Sequence, residues 1–144
     1  MLSNTVRRVP DHTEGDVNER ILEQTTGRVL YFAEHRREIG RRLVQLDREW
    51  DIERLLETNA SALAFLGIVL GSLGSRRWLR LSALVTAFLF QHAVQGWCPP
   101  IPILRRLGVR TAREIEVERI ALKALRGDFD RVTDASSALE AAAC

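Results

Sequence analysis

From Asn59 to Leu104 the chain runs for forty-six residues with only three charged side chains, the arginines Arg76, Arg77 and Arg80. The flanking segments are dense in charge, so this stretch is suited to a different solvent from the rest. On either side of the arginines lies an apolar run, Ala60 to Ser75 and Leu81 to Trp97. The first, at sixteen residues, gives a helix of about 24 Å, a little short of a hydrocarbon core of about 30 Å. The second, counted from Trp78, is twenty residues with one charge near its start, close to the length that spans. Two helices joined by a turn of a few residues leave no open backbone in lipid, and we read the stretch as a transmembrane hairpin.

Three features refine that hairpin. Gly67, Gly71 and Ser75 recur at four-residue steps, which places small side chains on one face and lets a second helix approach closely. Pro99, Pro100 and Pro102 prevent the second helix from continuing, because each lacks an N–H and restricts the residue before it. Arg41, Arg42, Arg48 and Arg54 precede the hairpin and Arg105, Arg106, Arg110, Arg113 and Arg119 follow it, against three arginines in the turn. The positive-inside rule then puts both termini in the cytoplasm and the turn on the other side.

Whole-chain averages conceal this organisation. Across 144 residues, a hydrophobic fraction of 46%, a charged fraction of 28% and a net charge of +2 would suit a soluble helical protein. Divided, the chain has 10 basic and 12 acidic residues up to Glu57, 3 and 0 from Thr58 to Leu104, and 8 and 7 from Arg105 onward. Neither flank is basic enough for a nucleic-acid footprint. No cleavable signal peptide is expected, since Met1 to Gly15 is polar. Cys98 and Cys144 stand far apart and give neither a disulfide framework nor a paired metal motif.

The flanks divide by pattern. Residues 1–16, with Pro10, Gly15 and scattered charge, read as a flexible tail. In 17–57 the apolar positions Ile21, Leu22, Val29, Phe32, Ile39, Leu43, Leu46 and Trp50 follow helical spacing, interrupted by Gly27 and Gly40, so two linked amphipathic helices are expected. Their apolar stripe suits a packing partner, a coiled-coil partner or a lipid surface. The hairpin domain occupies 58–108, ending where Ile101, Ile103, Leu104 and Leu107 supply apolar contact and Arg105 and Arg106 are expected at headgroup depth. In 109–127 Thr111 and Glu114 form a capping box that opens an amphipathic helix, and Gly127 closes it. Residues 128–144 are small, polar and alanine-rich and read as a second flexible tail. The expected fold is all-α, a two-helix transmembrane hairpin flanked by amphipathic cytoplasmic helices.

The motif at the end of the second run, Gly96-Trp97-Cys98-Pro99-Pro100 followed by Leu104-Arg105-Arg106-Leu107-Gly108, resembles the signature of the YgaP-like inner-membrane family. The order of features is similar too, from a polar lead-in at Asp51, Glu53, Arg54 and Asn59 through a glycine-rich first helix to the cysteine and prolines. The resemblance covers about Asp51 to Gly108. It implies a small two-helix transmembrane domain of the bacterial inner membrane, which in that family stands alone or fused to a cytoplasmic rhodanese that moves sulfane sulfur on a cysteine. This chain has no rhodanese-sized segment and carries an N-terminal helical extension instead.

Two readings of Cys98 stand side by side. At the membrane boundary, with Arg105 and Arg106 shortly after it, the thiolate would be favoured for persulfide or disulfide exchange; at the end of an apolar helix, the same residue is a small buried hydrophobe. His92, with Gln91 and Gln95 nearby, places polar groups inside an apolar segment, where interhelical hydrogen bonding is the expected role. One histidine makes no metal site, and His12 and His35 lie in solvated contexts. Nothing resembles a nucleotide loop, a Ser-His-Asp set or paired catalytic carboxylates, so no catalytic residue, metal or cofactor is expected. The leading expectation is a non-catalytic, multi-pass inner-membrane protein that self-associates through its small-residue face or docks a cytoplasmic protein, with the lipid bilayer as its first partner and no nucleic acid. The alternatives are a sulfane-sulfur relay on Cys98 and a soluble helical-bundle interaction protein.

Overall fold

The computed structural model describes residues 7–143; residues 1–6 of the first expected tail and Cys144 lie outside it. Among the described residues the structure is helical throughout, with no strand. The α-helices are α1 (Gly15–Glu34), α2 (Ile39–Arg48), α3 (Ile52–Leu73), α4 (Leu79–Gln95), α5 (Ile101–Arg106), α6 (Ala112–Arg126) and α7 (Ala135–Ala143). The chain forms two compact units, one from 7–20 with 50–112 and the other from 21–49 with 113–143.

The first unit is built on α3 and α4. Asp51 opens α3 as an N-cap, its side chain accepting a hydrogen bond from the Arg54 N–H at 2.7 Å. After Leu73, a short 3-10 turn at Arg76–Trp78 reverses the chain, with the Ser75 hydroxyl accepting from the Arg77 N–H. The helices then run antiparallel: Gly71 lies against Leu79 and Gly67 against Trp78 and Ser82. Of the described residues, one helix, the apolar part of α3, is long and apolar enough to cross a membrane, and only 17% of that apolar stretch is buried.

At the base of the hairpin Val9, Ile52, Leu56, Cys98 and Ile101 form a core, with Phe88, Leu104 and Val109 packed against it. Residues 7–16 therefore depart from the expected tail. Val9 is 1% exposed, Pro10–His12 make a 3-10 turn, and the Asn18 amide donates to the Pro10 carbonyl at 2.9 Å. A single valine has no periodicity to reveal it, yet burying such a side chain stabilises by roughly 1.5–3 kcal/mol.

The second unit packs α2 and α6 through Ile39, Leu43, Leu46, Ile115 and Leu122, with Phe32 and Leu125 at the edge of that core. Helix α6 spans the residues that the capping box and Gly127 predict. At its end Gly127 adopts φ +89°, and the Asp128 N–H reaches back to the Lys123 carbonyl at 3.1 Å, a Schellman closure. The expected C-terminal tail also needs correction, since 135–143 are helical. Asp134 accepts from the Ser137 N–H at 2.8 Å and the Ser137 hydroxyl accepts from the Asp134 N–H at 3.1 Å. This reciprocal box starts α7, and alanines continue it well.

Candidate functional site

The small-residue face of α3 closes the hairpin on itself. A Cβ at Gly67 would stand 3.0 Å from the Trp78 carbonyl oxygen and 3.2 Å from the Ser82 nitrogen, and one at Gly71 would meet the Leu79 side chain. Glycine there lets the two backbones approach until the Ser82 hydroxyl donates to the Ala64 carbonyl at 2.8 Å. Within the chain, α4 occupies this face at Gly67 and Gly71. Ser75 does not belong to the face; it is exposed and caps the turn.

With its inner face closed, the hairpin presents large apolar side chains outward. Phe65 is 69% exposed, Leu73 84% and Phe90 71%, and Leu63, Leu66, Ile68 and Leu84 are each about half exposed. No carboxylate occurs from residue 58 to residue 113.

A buried polar cluster lies at the base. Arg8 reaches Glu53 at 3.6 Å and donates to the Ala93 carbonyl at 3.4 Å, bridging the N-terminal segment to both hairpin helices. Gly96 makes this approach possible. It has φ +80° and closes α4 with its N–H on the His92 carbonyl at 2.7 Å, and a Cβ on it would press into the Arg8 backbone oxygen at 2.8 Å. A left-handed residue with no room for a side chain is restricted to glycine twice over. His92 is 4% exposed, with Arg8, Glu53, Glu57 and the Gly96 backbone around it. Neither ring nitrogen completes a hydrogen bond. His92 thus faces the base cluster, whereas Gln95 is exposed and Gln91 partly buried, so the polar residues Gln91, His92 and Gln95 differ in burial.

Cys98 and its arginines separate. Cys98 is 7% exposed within the apolar core, and burial pushes its thiol above the ordinary range. Arg105, expected at headgroup depth, is instead 1% exposed and donates to the Val109 carbonyl at 3.1 Å and the Asn18 side chain at 2.8 Å. Arg106 is exposed and paired with Glu14 at 2.6 Å. These contacts turn both guanidiniums to structural work, and the surroundings of Cys98 are those of a small core hydrophobe. Pro99 and Pro100 are exposed at the turn into α5, while Trp97 is partly buried and Gly108, at φ +86°, ends α5.

In the second unit the buried group is Glu118, which is 0% exposed. It accepts from Arg28 Nε at 3.1 Å and Arg42 Nε at 2.8 Å, joining α1, α2 and α6. Nothing in the sequence distinguished Glu118 from the other carboxylates of a salt-laced helix, because its partners lie 90 and 76 residues away. Among the described residues no group of three or more His, Cys, Asp or Glu side chains is placed to hold a metal ion. No protein-family model, curated protein or solved structure matches the chain, so the resemblance to the YgaP-like family rests on its motif residues.

Proposed function

We propose that this protein is a non-catalytic bacterial inner-membrane protein in which the α3–α4 hairpin is embedded in the bilayer and the charged helices remain in water on the cytoplasmic side, available to a protein partner. The observation that carries this reading is the outward surface of the hairpin. Phe65, Leu73 and Phe90 are more than two-thirds exposed, while the face that would otherwise receive a partner helix is filled by Ser82 and Leu79. Large apolar side chains this exposed on one hairpin are costly in water, and hydrocarbon is the solvent that removes the cost. The low burial of α3 also favours lipid over the soluble-bundle reading, in which the two central helices would form a core.

The rest of the geometry supports a membrane anchor rather than sulfur chemistry. A relay thiol needs access and a stabilised thiolate, and Cys98 has an apolar enclosure instead. Membrane fractionation tests the proposal. The full chain is expected to stay with membranes through a carbonate wash and to need detergent for release; recovery in the soluble fraction without detergent overturns it.

A further inference from the structure

The tip of the hairpin gathers three arginines, a tryptophan and two leucines between residues 73 and 80, with no carboxylate among them. Arg76, Arg77 and Arg80 are exposed, and among the described residues none of the three has a carboxylate partner, whereas Arg8, Arg28, Arg42, Arg106 and Arg119 all do. The nearest carboxylates in sequence are Glu57 and Glu114, at the other end of the hairpin or beyond it. Beside these arginines Leu73, Trp78 and Leu79 are 84%, 47% and 42% exposed. Tryptophan and arginine ringed by aliphatic side chains match the transition from hydrocarbon to headgroup, where an indole sits at the ester level and guanidinium pairs with phosphate.

On the membrane reading above, this tip lies on the far side of the bilayer, where three unpaired arginines run against the positive-inside rule. The chain supplies no anion to offset them. We propose that the Arg76, Arg77 and Arg80 tip is a binding surface for acidic phospholipids of the far leaflet. Anionic headgroups at that level supply the missing counter-charge, each arginine adding its own attraction to an acidic surface. Trp78 and the neighbouring leucines fix the depth at which the guanidiniums meet the phosphates.

Trp78 also reports on the site. The full-length protein with Trp50→Phe and Trp97→Phe is reconstituted into phosphatidylcholine vesicles containing a minority of phosphatidylglycerol, with bromines carried on the chains of one lipid or the other. Brominated phosphatidylglycerol is expected to quench Trp78 at least about two-fold more per mole than brominated phosphatidylcholine, given the attraction per arginine. The triple variant Arg76→Gln, Arg77→Gln, Arg80→Gln should bring that ratio to about one, and the corresponding lysine triple should keep it above one, because charge rather than fork geometry draws the lipid. In the protein with its arginines intact, added salt should lower the ratio, which needs no tip substitution. Equal quenching by both lipids, insensitive to salt and to the glutamines, overturns the proposal and leaves the membrane reading standing. A ratio abolished by inorganic phosphate at an ionic strength where chloride leaves it above one also overturns it, by identifying a general anion site. Absence of quenching by either lipid overturns the membrane reading itself.

Discussion

Cys98 illustrates how one side chain's chemistry is decided by its neighbours. Held among Val9, Ile52, Leu56 and Ile101, its thiol has no charge to favour ionisation, and burial raises its pKa. With Cys144→Ser removing the other thiol, labelling at neutral pH is expected to be slower than for an unstructured cysteine; labelling at or above that rate contradicts the packing role. Glu118 is the opposite case, a carboxylate with no exposed surface held between two guanidiniums. Glu118→Ala should destabilise by about 3 kcal/mol, the lower end for a broken buried pair, because Arg28 and Arg42 are partly exposed and can rehydrate. Urea unfolding of the two variants checks this, with Glu118→Gln expected to lose less because it keeps an acceptor. Sequence identified Cys98 but not Glu118. A cysteine is rare enough to notice, whereas a carboxylate becomes special only when residues 28 and 42 are brought to it.

Among the elements, the hairpin and its punctuation were legible. Pro99 and Pro100 follow the end of α4, Gly127 ends α6, and the four-residue steps of Gly67 and Gly71 mark the contact face. These signals are local, since caps and periodicity act within one or two turns. What sequence left open was which helix fills the glycine face, a question answered only by tertiary closure. Gly67→Val is expected to push α3 and α4 apart, because backbone atoms of Trp78 and Ser82 cannot yield to its side chain. A loss of about 1–3 kcal/mol in mixed-micelle denaturation is the expected size. Helix α7 was missed because its cap, Asp134 with Ser137, does not have the Ser/Thr-x-x-Glu form and its alanines carry no apolar stripe. The Ser137 N–H holds the Asp134 carboxyl below its ordinary 3.8. A depressed folded-state value means the cap stabilises above the ordinary aspartate range and is lost as pH falls through the lowered value. Cα secondary shifts of residues 135–143 should therefore decline only in strong acid, and Asp134→Ala should reduce them already at neutral pH.

At the level of the whole molecule, the hairpin is short for its proposed solvent. Helix α4 has 17 residues, about 25 Å, and the apolar run within α3, Ala60 to Leu73, is about 21 Å, against a hydrocarbon core of about 30 Å. Shortfall of this kind thins the bilayer locally or favours thinner membranes, at fractions of a kcal/mol per Å. Reconstitution should accordingly be more complete, and the protein harder to unfold, in dimyristoleoyl than in dierucoyl phosphatidylcholine; the reverse order would contradict the length argument. Long-range closure of the base was not legible at all. It joins Arg8 to Glu53 and Ala93, and Asn18 to Arg105, across spans that no local pattern reports.

That closure also sets an order of events during synthesis. Arg8 and Val9 emerge from the ribosome first, yet their partners Ala93, Gly96, Cys98 and Ile101 come some ninety residues later. At roughly 5–20 residues per second that delay is about 5–20 s. Only at its end is the hairpin complete, and until then its base stands open, with Ile52 and Leu56 uncovered. Residues made ahead of the hairpin thus dock only once it is complete, and a bulky fusion placed just ahead of Arg8 would act on that late step of assembly rather than on an early one.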